Sequence, residues 1–215
     1  MENIENIIFD MDGVLVDSEP VIEAAAIKGL KDYGVEAEPE DFIPFIGKGE
    51  DRYIGGVAEK YGVPYKKEMK DRVYEIYLDI VGDKINIFPG TKEILNKLKK
   101  NYQLALASSA DLIKIKANLK EANISPDIFQ VIFSGDDVEN KKPAPDIYLK
   151  TAEKMGVSSK NCLVIEDSLS GIKAAKSADM KCAGLTSSFS RNKLIEAGAD
   201  RVIDEITEIL EILPD

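Results

Sequence analysis

The chain has 215 residues, of which 44% are hydrophobic and 31% are charged, with a net charge of -11 and no histidine. A surface this acidic repels nucleic acid and anionic membranes, so we expect neither as a partner. The lack of histidine excludes Ser-His-Asp and Cys-His catalysis, and histidine metal sites as well. Any chemistry must therefore depend on carboxylates, hydroxyls, lysines or a hard metal ion.

The sequence shows no secretory signal pattern and no apolar run of membrane-spanning length. Cys162 and Cys182 each lie in or beside an apolar run. Such positions are typical of buried free thiols in a reducing compartment. We therefore expect a cytoplasmic protein.

Six short apolar runs predict buried strands. They are nearly continuous rather than alternating, as expected for strands that are covered on both faces of a sheet. Most are separated by segments with apolar residues at helical spacing, and this alternation predicts a parallel sheet flanked by helices. The predicted strands are 7–9, 104–107, 131–133, 163–165, 182–185 and 202–203.

One region, between the first strand and the next strand–helix unit, contains only helical patterns. The spacing predicts helices at about 20–33, 50–61 and 65–81, the first two ending at glycines. An all-helical insertion at this place predicts a separate small cap domain on a Rossmann-like α/β core. We place the core at 1–17 and 84–215 and the cap at 18–83.

Two carboxylates, Asp10 and Asp12, directly follow the first predicted strand. The carboxyl edge of a parallel sheet is where ligands bind, and two carboxylates there repel each other unless a cation lies between them. Magnesium, which prefers oxygen ligands, suits such a pair. Gly13 would allow a sharp turn after it. An ordinary acidic turn explains this segment equally well when it is taken alone.

A second acidic pair, Glu166 and Asp167, follows the strand at 163–165. The alternative to a ligand-binding role is that these acids complement the dipole at the start of the helix that follows. That explanation accounts for one acid better than for two. Ser108 and Ser109 follow another strand and are suited to phosphate binding, although serine also caps helices routinely. Lys142 lies in a Pro-rich loop and would by itself be read as a solvated side chain.

Taken together, these segments follow strands of one predicted sheet and point to the same edge. They supply a nucleophilic carboxylate, a second carboxylate, hydroxyls, a lysine and further acids for a metal. That combination is a complete set for phosphoryl transfer.

Four sequence motifs, in their order along the chain, resemble those of the haloacid dehalogenase-like superfamily. Within it they resemble most the β-phosphoglucomutase-like phosphatase branch. The resemblance covers essentially the whole chain. The matching segments are Asp10-Met11-Asp12-Gly13-Val14, Ser108 in ALASSA, Lys142 in KKPAPDIY, and Glu166-Asp167 in VIEDSLSGI.

The resemblance implies a role for each matching position. Asp10 would attack phosphorus and form an aspartyl-phosphate. Asp12 would protonate the leaving oxygen and then activate water, and its main-chain carbonyl would bind magnesium. The phosphoryl oxygens would be held by Ser108 and Lys142, with Ser109 beside them.

The same resemblance implies that Asp167 ligates Mg²⁺, and that Glu166 does so directly or through water. The helical cap would close over the site and select the leaving group. A monomer is the expectation by analogy.

Two features of the predicted cap favour hydrolysis over the mutase reaction. The mutase pattern places a histidine in the first cap helix, where residues 19–22 of this chain have none. It also places an arginine in the cap loop, where this chain has an acid within 47–52. The predicted function is therefore a magnesium-dependent phosphatase for a small phosphorylated metabolite, such as a sugar phosphate.

A phosphosugar mutase of the β-phosphoglucomutase type remains the alternative, and a non-catalytic binding protein is a third. The third is disfavoured because every catalytic position is filled. In the glycine-rich cap loop, Gly47, Lys48 and Arg52 are candidates for substrate specificity. A plain helix–helix connector explains that loop equally well.

Overall fold

The computed structural model describes residues 3–46 and 48–213. The chain alternates strands and helices, apart from one stretch near the N-terminus that is helical. In chain order the elements are β1 (Asn6–Phe9), β2 (Val16–Asp17), α1 (Glu19–Lys31), α2 (Glu50–Lys60), α3 (Lys67–Lys84), β3 (Asn86–Ile87), α4 (Thr91–Leu98), β4 (Gln103–Ala107), α5 (Leu112–Glu121), β5 (Val131–Phe133), α6 (Asp146–Met155), β6 (Cys162–Glu166), α7 (Leu169–Ser177), β7 (Lys181–Leu185), α8 (Arg191–Ala197), β8 (Arg201–Ile203) and α9 (Ile209–Ile212).

Six strands form a parallel sheet in the order β5-β4-β1-β6-β7-β8. Each of them overlaps one of the predicted strands, which confirms the predicted fold class. β1 lies in the middle, with Phe9 opposite Leu106 of β4 on one side and Ile165 of β6 on the other. The residues that follow these three strands therefore meet at one edge of the sheet.

Each face of the sheet is covered by its own apolar layer. One layer includes Phe9 and Leu106 with residues of α4, α5 and α9. The other includes Ile8 and Val164 with residues of α6, α7 and α8. Cys162 and Cys182 are free and buried in this second layer, as their sequence context predicts.

The stretch from 18 to 85, called here the helical insertion, has a separate apolar cluster of its own. Leu30, Ile54, Val73 and Tyr77 are fully buried in it, and α1 packs closely against α3. Its three helices lie within three residues of the predicted ones. No helix in the described part of the chain is long and apolar enough to span a bilayer.

The insertion is connected to the sheet through two short strands, β2 and β3, that pair antiparallel. Val16 lies opposite Ile87 and Asp17 opposite Asn86, so the chain enters and leaves the insertion side by side. These strands were not predicted, because two residues are too few to show a periodic pattern.

Helix α5 is the main polar contact between the core and the insertion. Asp111 occupies its N-cap position, and Lys114 and Asn118 follow at helical spacing, so all three lie on one face. We call these three residues the α5 polar stripe. Their partners in the insertion are Lys70, Glu50 and Tyr77.

Candidate active site

Asp10 directly follows the central strand, and its backbone N–H donates to the Ile165 carbonyl at 3.0 Å. Its side chain is buried, and the Lys142 ammonium lies 2.6 Å from its Oδ1. Burial, partly offset by Lys142, raises the pKa of the Asp10 carboxyl to about 7. The chain therefore holds this carboxylate rigidly at the end of β1, in a setting that disfavours its charge.

Glu166, at the end of β6, is surrounded by hydrogen-bond donors. Its Oε1 accepts from the Lys142 ammonium at 2.6 Å and the Tyr148 hydroxyl at 3.0 Å. Its Oε2 accepts from the N–H and the hydroxyl of Ser168, at 2.8 and 2.9 Å. A Cβ on Gly171 would lie 1.7 Å from Oε1, so the site excludes any larger residue there. Four donors fill the acceptor positions of this carboxylate and fix it against Lys142.

Asp167 is buried and accepts a hydrogen bond from the Ser188 hydroxyl. No lysine or arginine pairs with it in the described part of the chain. Burial raises its pKa well above the usual range, with further contributions from Glu166 and Asp10. Gly13 has φ +79°, and a Cβ there would lie 2.0 Å from Asp167 Oδ2, so only glycine fits beside this carboxylate.

Asp12 lies where the core meets the insertion. Its Oδ1 accepts from the Ser18 hydroxyl and from Asn118 Nδ2, the latter at 3.1 Å. Its Oδ2 is 3.1 Å from the Lys114 ammonium, which in turn is 3.3 Å from Glu50 Oε1. Two members of the α5 polar stripe thus hold Asp12 on one side and contact the insertion on the other.

Ser108 and Ser109 directly follow β4, so the end of this strand determines where they lie. Ser108 is fully buried, its N–H donates to the Phe133 carbonyl at 3.1 Å, and its Oγ accepts from the Ala110 N–H at 3.1 Å. Because that Oγ already accepts a hydrogen bond, its proton can be donated to a ligand. Ser109 is half-buried beside it.

These residues surround one cavity, whose empty volume of about 530 Å³ includes the solvent at its mouth. The structure brings seven of the ten predicted site residues to its wall. They are Asp10, Asp12, Ser108, Ser109, Lys142, Glu166 and Asp167.

The structure does not bring the predicted cap residues Lys48 and Arg52 into the cavity. Both are exposed, and their cationic groups lie 5.9 and 5.2 Å from the ring centroid of Phe45. Arg52 also pairs with Glu59 at 2.9 Å, on the solvent face of α2. Gly47 lies outside the described residues.

Several polar residues of the site were missed by the sequence analysis. Lys114 and Asn118 belong to a lysine-rich segment that is typical of a solvated helix face. Tyr148 belongs to a helical stripe and reads as an ordinary core residue. Glu50 was not singled out, because the sequence predicts only that an acid within 47–52 stands in place of an arginine. One signal could have identified Lys114 and Asn118 as residues of the site. Both follow closely after β4, a strand that ends at the site.

The residues fit a magnesium ion. Among the described residues that line the cavity, six are acidic and two are lysines, so negative charge is in excess. No three acidic, histidine or cysteine side chains of the described residues converge as a closed ligand set. Magnesium keeps several waters and is typically bound by one or two carboxylates, which matches Asp10 and Asp167.

Comparison with known proteins adds to this picture. A family model described as haloacid dehalogenase-like hydrolase matches residues 7–185. The phosphorylated carbohydrates phosphatase of Thermotoga maritima is 35% identical over 98% of both chains. The chloroplastic protein Suppressor of Quenching 1 of Arabidopsis thaliana is 42% identical over 96% of this chain, which spans only about 20% of that protein's length.

Among solved structures, a putative β-phosphoglucomutase from Thermotoga maritima is similar to this chain. It has a TM-score of 0.76 and 32% sequence identity, and the match covers 97% of this chain and 98% of the other. The likeness therefore includes both the sheet and the helical insertion.

Proposed function

Because this chain belongs to the haloacid dehalogenase-like hydrolase family, we propose that it is a magnesium-dependent phosphatase acting on a small phosphorylated metabolite such as a sugar phosphate. The observation that carries the proposal is the placement of Asp10. Lys142 binds Oδ1 of this carboxylate at the end of β1, and Oδ2 has no hydrogen-bond partner in the described part of the chain. One oxygen is thus oriented by an ammonium group, and the other is left to act as a nucleophile.

The first step of the proposed reaction is attack of Asp10 Oδ2 on phosphorus. A covalent aspartyl-phosphate forms as the bond to the leaving oxygen breaks. Asp12 gives its proton to that oxygen and later takes one from the water that hydrolyses the aspartyl-phosphate. Ser18, Lys114 and Asn118 hold the Asp12 carboxyl in place for both transfers.

Lys142 and Ser108 would bind the phosphoryl oxygens, with Ser109 at the cavity wall. The carboxylates of Asp10 and Asp167 and the main-chain carbonyl of Asp12 would hold magnesium. The metal would supply positive charge against the phosphoryl oxygens. Glu166 would act differently from the sequence expectation. With its acceptor positions filled, it would orient Lys142 and influence the metal only indirectly.

We further propose that the helical insertion is a cap domain, with boundaries at about 18 and 83. Its apolar cluster is separate from both layers of the sheet, and it faces the core across the cavity. Closing the insertion over the sheet edge would exclude bulk water from the aspartyl-phosphate until the leaving group has departed.

The mutase reaction remains the alternative, because the chain resembles a structure described as a putative β-phosphoglucomutase. A mutase must bind a second phosphate far from Asp10. Lys48 and Arg52, the cations that would serve this purpose, are exposed and do not line the cavity. That placement favours water as the final acceptor.

The test is a phosphate-release screen of the purified protein with magnesium over a panel of small monoesters. We expect release of inorganic phosphate that disappears in Asp10→Asn and in EDTA. β-Glucose 1-phosphate with a bisphosphate primer belongs in the panel. Formation of glucose 6-phosphate without phosphate release would identify a mutase. Wild-type activity in Asp10→Asn would show that the nucleophile is assigned wrongly.

A further inference from the structure

The wall that the insertion contributes to the cavity is acidic and apolar. Glu19, Glu50 and Tyr53 are its most polar members, and no lysine or arginine belongs to it among the described residues. The remaining members are Ile22, Phe45, Ile46 and Gly49. This wall lies on the insertion side of the cavity, where we expect the leaving group of a substrate bound at Asp10.

The two lysines that do line the cavity belong to the core, and both are already paired. Lys142 lies between Asp10 and Glu166, at 2.6 Å from each. Lys114 is 3.1 Å from Asp12 and 3.3 Å from Glu50. If Lys114 turned to a second anion on the substrate, it would leave a buried carboxylate without its counter-charge, which is unfavourable.

Glu50 itself has an unfilled hydrogen-bonding position. Its Oε1 contacts Lys114, but its Oε2 is buried and has no hydrogen-bond partner within the described chain. The residue is only 7% exposed, so bulk water does not satisfy that oxygen. A buried acceptor without a donor, at the wall of a cavity, indicates that a ligand supplies the donor.

We propose, on the basis of the phosphatase function above, that the substrate is a monoester whose leaving group carries hydroxyls and no second anionic group. A rotation of the Glu50 side chain, which lines the cavity, brings its buried Oε2 within reach of one of those hydroxyls, which donates a hydrogen bond to it. Ile22, Phe45 and Tyr53 provide the apolar and aromatic surface against which the carbon skeleton of a polyol or sugar packs. A carboxylate or second phosphate in the same place meets Glu50 and Glu19 and is repelled.

Matched pairs of substrates test this inference, because they differ only in one group. 2-Hydroxyethyl phosphate and phosphoglycolate form one pair, and sorbitol 6-phosphate and 6-phosphogluconate form another. In each pair a CH₂OH group is replaced by a carboxylate. We expect kcat/KM to be at least about tenfold higher for the hydroxyl compound of each pair. Assays at pH 8 keep Glu50 ionised, since burial raises its pKa to about 7.

The variant Glu50→Gln removes the charge while keeping the size of the side chain. We expect the preference for the hydroxyl compound to fall several-fold, because the carboxylate of the second compound is no longer opposed. Any loss that comes from weaker support of Lys114 lowers both members of a pair and cancels in their ratio. Glu59→Gln makes the same change at an exposed position of the same helix; it is the control and should leave the ratio unchanged.

Faster phosphate release from the carboxylate compounds would overturn the inference, and so would a ratio that Glu50→Gln does not change. Either result would leave the phosphatase function intact. Lack of release from every monoester, in contrast, would contradict the phosphatase function itself.

Discussion

Lys142 is the cation that pairs with the buried carboxylates of Asp10 and Glu166 in the described part of the chain. Its ammonium lies 2.6 Å from carboxylate oxygens of both Asp10 and Glu166, and its side chain is only 2% exposed. Burial alone would lower the pKa of Lys142, but the two carboxylates raise it well above its usual range. The lysine is therefore charged in the folded protein, and its removal leaves Glu166 as an uncompensated buried charge.

Two substitutions separate the structural role of Lys142 from its role in catalysis. We expect Lys142→Met to lower the free energy of unfolding by about 3 kcal/mol and to abolish phosphate release. Adding Glu166→Gln should restore part of the stability, since it removes one of the two carboxylates that the lysine neutralises and leaves only Asp10 without its counter-charge. Activity should remain absent in the double variant.

The measurement is urea unfolding in EDTA, so that bound metal adds nothing to the stability, followed by a phosphate-release assay with magnesium. Glu166→Gln alone is the control for the effect of the amide. If the double variant is no more stable than Lys142→Met, then Glu166 is not the charge that this lysine neutralises.

At the level of the elements, α1 and α3 lie unusually close together within the helical insertion. Gly29 of α1 is buried, and a Cβ there would lie 2.8 Å from a methyl of Val73 and 3.3 Å from its Cα. The close approach of the two helices thus depends on a glycine in a helix interior. Elsewhere, such a glycine would only weaken the helix.

Two glycine-to-alanine substitutions in neighbouring helices should act in opposite directions. We expect Gly29→Ala to destabilise the protein by about 1–3 kcal/mol, because the methyl group meets the backbone of α3. Gly82→Ala is the matched control. Gly82 is exposed near the end of α3, and its new methyl would meet only the flexible end of Glu121.

For Gly82→Ala we expect a gain of about 0.5–1 kcal/mol from helix propensity. Both values are measured by urea unfolding. A gain in stability for Gly29→Ala would mean that the two helices are not in contact at this point.

At the scale of the whole molecule, the α5 polar stripe joins the sheet to the helical insertion. Asn118 is fully buried, its amide nitrogen donates to Asp12, and its amide oxygen accepts from the hydroxyl of Tyr77. Lys70 of the insertion reaches Asp111 at 2.8 Å on the same face. The position of Asp12 is therefore linked to the position of the insertion through α5, in addition to its direct hydrogen bond from Ser18.

Removal of one hydroxyl at this junction tests that link. We expect Tyr77→Phe to lower the free energy of unfolding by about 1–3 kcal/mol, because the buried oxygen of Asn118 loses its donor. It should also lower kcat, because Asn118 no longer holds Asp12 firmly. Tyr33→Phe removes an exposed hydroxyl that donates to the Glu68 carbonyl at 3.0 Å, and it should change stability by less than about 0.5 kcal/mol. Equal effects of the two substitutions would contradict the proposed link.

Much of this architecture was predictable because its signals are local in the sequence. Continuous apolar runs marked all six strands of the sheet, and Asp10 and Asp167 stood directly after two of them. α5 was harder to predict, because its segment LIKIKANLKE begins with the alternation typical of a strand and masks the buried Ile115 and Leu119. Its polar partners in the insertion are 41 to 64 residues away in the sequence, and nothing local indicates such pairings.

The pairing of β2 with β3 has a consequence for how enzymes of this design diversify. Because the two crossings between sheet and insertion lie one strand spacing apart, roughly 5 Å, the core closes on itself whatever is inserted there. A different helical domain whose two ends lie side by side can be inserted between β2 and β3, while Asp10 and Lys142 keep their places in the core. Under the proposed function, a new domain changes the preference for the leaving group, and it keeps the chemistry only if it again supplies partners for Lys114 and Asn118, which hold Asp12.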